Sequence, residues 1–177
     1  MSRIPLAEPA TLPPFLKSMH DNARPDDWST QRCARAFAAH PALLETYLKF
    51  YYPFHSTSGV IEPRLKELVR LRIATLNGCK TCKAARLARD VVSEREAAAG
   101  VDVFKDEASF TPREKAAIKL AETMAVDHFS IGDDEIRALR RHFSEAELLE
   151  LMMMAGQYIG FGRMLAILQL EDTVCPI

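Results

Sequence analysis

The hydrophobic and polar positions of this 177-residue chain follow the spacing of helices and not that of strands. No stretch shows the sustained alternation with a period of two that is typical of a half-buried strand. Apolar blocks are instead separated by proline, by Asn-Gly or by a capping residue. We therefore predict an all-α fold. Helices are expected over about 27–40, 41–52, 63–76, 79–92, 93–100 and 133–141, with further helices starting at Thr111 and Ser144.

Several helix starts carry a capping box, in which Ser or Thr is followed three residues later by Glu. This pattern fixes a helix start because each side chain binds a backbone N–H that the first turn leaves unpaired. A proline in the first helical turn reinforces the signal at one of these sites, Pro112. The three pairs are Ser93 with Glu96, Thr111 with Glu114, and Ser144 with Glu147.

The N-terminal segment, residues 1–14, contains four prolines, which exclude a helix and predict an extended arm. Such an arm is either a mobile terminus or a segment that wraps a neighbouring subunit, and the sequence favours neither. Residues 15–177 are expected to form one helical domain. Within it, Pro53 is expected to end the preceding helix, and residues 55–59 are expected to form a loop.

A faint internal repeat relates the two halves of the chain at a constant offset of 49 positions. It indicates a pseudo-repeat of helical pairs, although proline and charge also mark helix starts in general. The matching positions are Pro63, Arg64, Lys66 and Leu71 in the first half and Pro112, Arg113, Lys115 and Leu120 in the second.

Composition excludes several classes of protein. The chain has 23 Lys and Arg against 24 Asp and Glu, so its charge of -1 predicts no nucleic-acid partner and no membrane binding. The most apolar stretch, residues 148–170, contains Glu150 and Arg163 and is therefore expected to be a core or interface helix. No targeting segment is evident, so we expect the cytoplasm, where the four cysteines are reduced at rest.

The strongest chemical signal is the pair Cys79 and Cys82, which are three positions apart. On a helix these positions share a face, so the sulfurs can form a reversible disulfide. Asn77-Gly78 puts the pair in the first turn of a helix, where unpaired amides and the macrodipole stabilise a thiolate. Lys80, Lys83 and Arg86 add positive charge nearby.

Two further uses of the motif are weighed. A structural zinc site needs four ligands, but Cys33 and Cys175 are isolated and no histidine pair accompanies them. Covalent haem attachment needs a histidine directly after the second cysteine, where Lys83 stands. We therefore predict no metal and no cofactor. The pair can also consist of two half-buried helix cysteines without a role.

Glu67, twelve residues before Cys79, is the next candidate. Apolar neighbours in helical projection suggest that it is partly buried, with a pKa raised by desolvation, and that it acts as a general base. The alternative, which the sequence favours slightly, is a solvated glutamate paired with Lys66 or Arg70 one turn away. His55 is interpreted as a loop histidine, with a place near the motif as the second possibility.

The run PRLKELVRLRIATLNGCKTCKAARLARD resembles the core motif of the carboxymuconolactone decarboxylase superfamily, and most closely its alkylhydroperoxidase D-like, peroxidase-related branch. The resemblance extends over roughly Pro41 to Glu171 and implies an alkylhydroperoxidase D-like helical bundle. It implies that Cys82 is the peroxidatic thiol and that Cys79 is the more exposed partner, which closes the disulfide and meets the reductant. Glu67 would start deprotonation through a relay. The helix-terminus argument alone makes Cys79 the more acidic thiol.

The sequence departs from the family where the relay has two histidines. Thr81 and Arg86 stand there, and neither transfers protons near neutral pH, although Arg86 can hold a thiolate by its charge. The resemblance implies a hydroperoxide or other small oxidant, a dithiol or lipoyl-type electron donor, and a homo-oligomer (trimer, hexamer or dimer). The alternatives are a decarboxylase-like enzyme that binds a small acid through Arg86 or Arg163, and a non-catalytic redox-sensing oligomer.

Overall fold

The computed structural model describes residues 2–25, 27–56, 58–79, 82–83, 88, 90–102 and 109–170. Within these ranges the chain is helical and contains no strand, so the predicted all-α class is confirmed. The described α-helices, in chain order, are α1 (Pro14–Asp21), α2 (Trp28–Ala36), α3 (Pro41–Ser56), α4 (Pro63–Leu76), α5 (Glu94–Ala98), α6 (Pro112–Val126), α7 (Asp133–Leu139) and α8 (Glu145–Ile167). Short 3-10 helices cover Pro9–Thr11, Phe37–Ala39 and His128–Ser130.

The chain divides into two compact units. The first combines the residues up to Tyr52 with those from Arg163 onward, and the second is Pro53–Gly162. The predicted division into an arm over residues 1–14 and a domain over 15–177 stays a prediction.

The N-terminal segment differs from its prediction. Pro9–Thr11 form a 3-10 turn, and a helix that the sequence did not indicate begins at Pro14, so the exclusion of helix over residues 1–14 was wrong. Both elements begin with proline in the first turn, where its missing N–H is not needed. The segment is tied within its own unit, because Arg3 donates from its backbone to Leu168 and the Arg35 side chain donates to the carbonyl of Ala7.

Helix α3 runs through Pro53 to Ser56, so the expectation that it ends before the proline was wrong. The expected loop over residues 55–59 therefore starts after the helix end at Ser56, with bends over 58–61. Proline removes one helical hydrogen bond, but contacts from elsewhere in the second unit hold the last turn. His55 in that turn is bonded to Tyr158, and the Phe54 carbonyl accepts from Lys66.

The capping boxes at Ser93, Thr111 and Ser144 are confirmed, since in each the cap side chain and the glutamate three residues on bind each other's backbone N–H. Helices α4 and α6, which carry the repeated residues, pack against each other. Arg64 of α4 pairs with Glu114 of α6, and Arg113 of α6 pairs with Glu62 at the cap of α4.

The core of the second unit lies between α4, α6 and the segment around α5. Its buried residues are Leu68, Leu71, Val92, Val101, Phe110 and Ile118. None of the described helices is both long enough and apolar enough to cross a bilayer.

Candidate functional site

The predicted cysteine pair lies directly after α4. The helix ends at Leu76, and Gly78 takes a φ of +68°, which glycine adopts without strain. Cys79 and Cys82 are joined by a disulfide. The backbone N–H of Cys82 donates to Cys79 Sγ at 3.0 Å, and the N–H of Lys83 donates to the carbonyl of Cys79 at 3.2 Å. Cys79 therefore occupies the N-cap position of the turn that follows, close to the predicted helix start around Cys79.

The two cysteines differ in their exposure to solvent. Cys79 is fully buried, whereas Cys82 is partly exposed. The implication that Cys79 is the more exposed partner is therefore wrong for this chain. The physical reason is local, since Cys79 packs under the end of α4, where its backbone N–H donates to the carbonyl of Ala74.

Glu67 is fully buried on α4 and is held by Arg70 from the next turn. Arg70 Nε donates to Glu67 Oε2 at 2.7 Å, and Nη2 donates to Oε1 at 2.8 Å. This two-bond geometry is the strong form of an arginine–carboxylate pair. Pairing with Arg70 was anticipated, but a solvated glutamate was not found.

The charge state of Glu67 differs from the general-base hypothesis. Burial raises the pKa of Glu67, but the hydrogen bonds from Arg70 and His55 and the charge of Arg70 outweigh burial and lower the pKa to about 2. The expectation of a raised pKa was therefore wrong. Glu67 is ionised at neutral pH, and it is an anchor for positive charge and not a ready proton acceptor.

Arg70 connects the carboxylate to the cysteine turn. Its Nη1 donates to the carbonyl oxygen of Cys82 at 2.5 Å, while the rest of the guanidinium holds Glu67. The two predicted elements of the site, the carboxylate and the cysteine pair, are thus brought together through an arginine. Arg70 was noted in the sequence only as a partner of Glu67.

His55 and Tyr158 complete the buried cluster. His55 Nδ1 lies 2.8 Å from the Tyr158 hydroxyl, and His55 Nε2 lies 3.3 Å from Glu67 Oε2. Both contacts fit one tautomer, in which Nε2–H faces the carboxylate and Nδ1 accepts from the tyrosine. Interpreting His55 as a loop residue was wrong. His55 and Tyr158 are 103 positions apart, so no local sequence signal pairs them. Only the second possibility for His55, a place near the cysteine motif, agrees with its position.

The remaining candidates are less central. Thr81, Arg86 and Cys175 lie outside the described residues, so the role assigned to Arg86 stays a prediction. Cys33 is buried, and burial together with the Asp27 carboxylate raises its pKa to about 12, which makes it an inert core thiol. Arg163 is exposed on α8. In the part of the chain that the structure describes, no cluster of three or more His, Cys, Asp or Glu residues is arranged to hold a metal ion.

Comparisons with known proteins agree with this architecture. Residues 41–123 match the model of the carboxymuconolactone decarboxylase family. The crystal structure of the alkylhydroperoxidase AhpD core of a peroxidase-related protein from Ralstonia eutropha JMP134 is similar, with a TM-score of 0.75 and 18% identity over 98% of this chain and 93% of that one. A peroxidase-related protein from Silicibacter sp. TM1040 gives a TM-score of 0.74 and 15% identity, over 97% and 91%. At this identity the likeness shows the fold, which is the predicted helical bundle. No curated protein matches the chain significantly.

Proposed function

Because residues 41–123 match the carboxymuconolactone decarboxylase family, we propose that the chain is a thiol–disulfide oxidoreductase of the alkylhydroperoxidase type. It would reduce hydroperoxides through Cys79 and Cys82. The observation that carries this proposal is the Cys79–Cys82 disulfide at a helix start, with Cys79 buried and Cys82 partly exposed. Such a pair offers Cys82 to partners from outside, and the disulfide can be formed and reduced through that residue.

In the oxidative half-reaction, the Cys82 thiolate attacks the terminal oxygen of a hydroperoxide. An S–O bond forms and the O–O bond breaks, so that the alkoxide leaves and takes a proton to become an alcohol. Cys82 is then a sulfenic acid. The buried Cys79 thiolate attacks its sulfur, the disulfide forms, and the released hydroxide takes a proton to become water.

In the reductive half-reaction, a dithiol donor attacks Cys82 Sγ, and Cys79 leaves as a thiolate. The second thiol of the donor then attacks the mixed disulfide, frees Cys82 and leaves the donor oxidised, which accounts for two electrons. A lipoyl-type dithiol fits this step because its two thiols close an intramolecular disulfide. The hydroperoxide and the dithiol donor thus both react at Cys82, whereas the buried Cys79 reacts only with Cys82.

The buried cluster supports this chemistry by charge. The N–H of Cys82 donates to Cys79 Sγ, and Arg70 brings a cation to the cysteine turn while Glu67 keeps that cation fixed. Hydrogen bonds and positive charge at a helix start both lower the pKa of a thiol. This arrangement supplies charge at the cysteine turn, and it does not replace the proton transfer of the relay histidines.

We further propose a homo-oligomer, as a trimer, hexamer or dimer. Helix α8 supports this, because Leu149 and Met153 expose 73% and 57% of their surface on a helix that is apolar on several sides. No resident cofactor is required. The cytoplasm suits the reaction because dithiol donors are kept reduced there.

Two alternatives to this function remain. One is a decarboxylase-like enzyme, and the other is a redox sensor that does not turn over. A decarboxylase-like enzyme would act on a small acid without needing a thiol, so its activity would survive Cys82→Ser. A sensor would form the disulfide with one equivalent of oxidant but would not be reduced again fast enough to turn over.

The test measures steady-state reduction of tert-butyl hydroperoxide with dihydrolipoamide as the donor. We expect turnover by the wild-type protein, none by Cys82→Ser or Cys79→Ser, and full activity of Cys33→Ser as the matched control. Turnover that survives Cys82→Ser, or none by the wild type, overturns the proposal.

A further inference from the structure

Lys66 ties the end of α3 to α4 beside His55, and the proposed reaction does not use it. Its side chain is 2% exposed. Its Nζ donates to the carbonyl oxygens of Phe54 and Ser58, the latter at 2.9 Å, and lies 2.7 Å from Glu150 Oε1. An ammonium has three N–H donors, and each of them faces an acceptor here. The buried charge is therefore completely satisfied.

Glu150 fixes the segment that follows α3 from the opposite side, on α8. Its carboxylate accepts from the backbone N–H of Val60 at 2.5 Å and from that of Ile61 at 3.3 Å, in addition to pairing with Lys66. Gly59 takes a φ of +96°, and a Cβ there would clash with the carboxylate of Glu150. A glycine at this position lets the backbone reach the carboxylate.

The ion pair and the buried cluster hold the same turn of α3. Lys66 binds the carbonyl of Phe54, and the next residue, Glu67, contacts the ring of His55. Glu150 and Tyr158 lie about two turns apart on α8. Glu150 binds the segment after α3, and Tyr158 binds the ring of His55. This support matters because the turn follows Pro53, which has removed a helical hydrogen bond.

We propose that Lys66 and Glu150 are a positioning pair, which holds the His55 ring between Glu67 and Tyr158. The inference rests on the proposed function, because His55 contacts Glu67, which holds the cation at the cysteine turn. The pair adds no net charge beside Glu67 and Arg70, so it fixes geometry without changing the electrostatic balance of the thiols. Because the two groups satisfy each other, removing one leaves the other buried and unpaired, whereas removing both does not.

The experiment compares Lys66→Met, Glu150→Gln and the double variant with Lys119→Met, an exposed lysine of α6, as the control. The ¹⁵N resonances of the His55 imidazole report its tautomer, and turnover of tert-butyl hydroperoxide with dihydrolipoamide gives kcat and KM. We expect each single variant to lose the fixed Nε2–H tautomer and at least tenfold in kcat, with KM within twofold of wild type. The double variant should be no worse than the worse single variant, because the two residues act as a unit.

Folded single variants that keep the His55 signals, or that lose kcat while those signals are unchanged, overturn the inference. If a single variant does not fold, the His55 resonances and the turnover kinetics are measured on the double variant, and the same two outcomes there overturn the inference. If the wild-type protein does not reduce the hydroperoxide, the proposed function fails, and the His55 signals alone decide whether the pair positions the ring.

Discussion

The guanidinium of Arg70 donates to the carbonyl oxygen of Cys82 at 2.5 Å while its other nitrogens hold both carboxylate oxygens of Glu67. Glu67 therefore acts on the cysteine turn through a cation that it holds in place. The carboxylate sets where the positive charge lies, and the arginine brings that charge to the disulfide.

The first prediction concerns acid stability. Glu67 has its pKa lowered to about 2 from 4.5, so its ionised form stabilises the fold above pH 4.5, and this contribution is lost as the pH falls through about 2. A shift of this size corresponds to about 3 kcal/mol. We expect Glu67→Gln to lower the free energy of unfolding most at neutral pH, with the difference from wild type closing toward pH 2.

Urea denaturation over this pH range measures the effect. Glu45→Gln is the control, because Glu45 forms an exposed pair with Lys49, and its substitution should cost less than about 1 kcal/mol throughout. If the difference in the free energy of unfolding between Glu67→Gln and wild type does not change with pH, the lowered pKa of Glu67 is contradicted.

The second prediction separates Arg70 from its neighbour Arg72. Arg70→Lys keeps the charge but cannot reproduce both bonds to Glu67 and the bond to Cys82. We expect the reduced variant to react with iodoacetamide at pH 7 several-fold more slowly than wild type. Arg72 pairs with Glu122 on α6 and not with the cysteine turn, so Arg72→Lys should keep the wild-type rate. Equal slowing in both variants would mean that only the stability of α4 matters.

The third prediction orders the three described cysteines by reactivity. In the reduced native protein Cys82 should be alkylated first, because it is partly exposed, and Cys79 more slowly, because it is buried. Cys33 should stay unmodified, since burial and Asp27 raise its pKa to about 12. Mass spectrometry of peptides after timed quenching gives the order. Faster modification of Cys79 than of Cys82 would contradict this prediction and would agree with the family resemblance, which implies that Cys79 is the more exposed cysteine.

The fourth prediction tests the hydroxyl of Tyr158. Tyr158→Phe removes the partner of His55 Nδ1 in a buried site, so the free energy of unfolding should fall by about 1–2 kcal/mol. Tyr52→Phe, at a half-exposed position, should change it by less than about 0.5 kcal/mol. Chemical denaturation compares the two, and a neutral Tyr158→Phe would remove the tyrosine from the cluster.

Local chemistry allowed much of the fold to be predicted. Thr111 and Pro112 start α6, and Asn77 follows the last residue of α4, because capping and chain breaking depend on residues adjacent in sequence. The position of the cysteine pair after Gly78 followed from the same local signals. By contrast, α3 passes Pro53 because tertiary contacts outweigh the local preference of proline.

The site was less predictable for the same reason. The pKa of Glu67 depends on two bonds from Arg70 and on a histidine twelve residues away, so burial alone gave the wrong direction. The exposure of Cys79 depends on how the turn packs beneath α4. His55 gained its place in the cluster only from Tyr158 on a distant helix.

Single-turnover oxidation tests the central claim most directly. The protein, with Cys33 replaced by Ser and then reduced, is mixed with one equivalent of tert-butyl hydroperoxide, and its remaining thiols and its mass are followed over time. We predict the loss of two thiols per hydroperoxide, a mass decrease of about 2 Da for the disulfide, and one equivalent of tert-butanol. Thiols that persist beside unreacted hydroperoxide would contradict peroxide reduction by this cysteine pair.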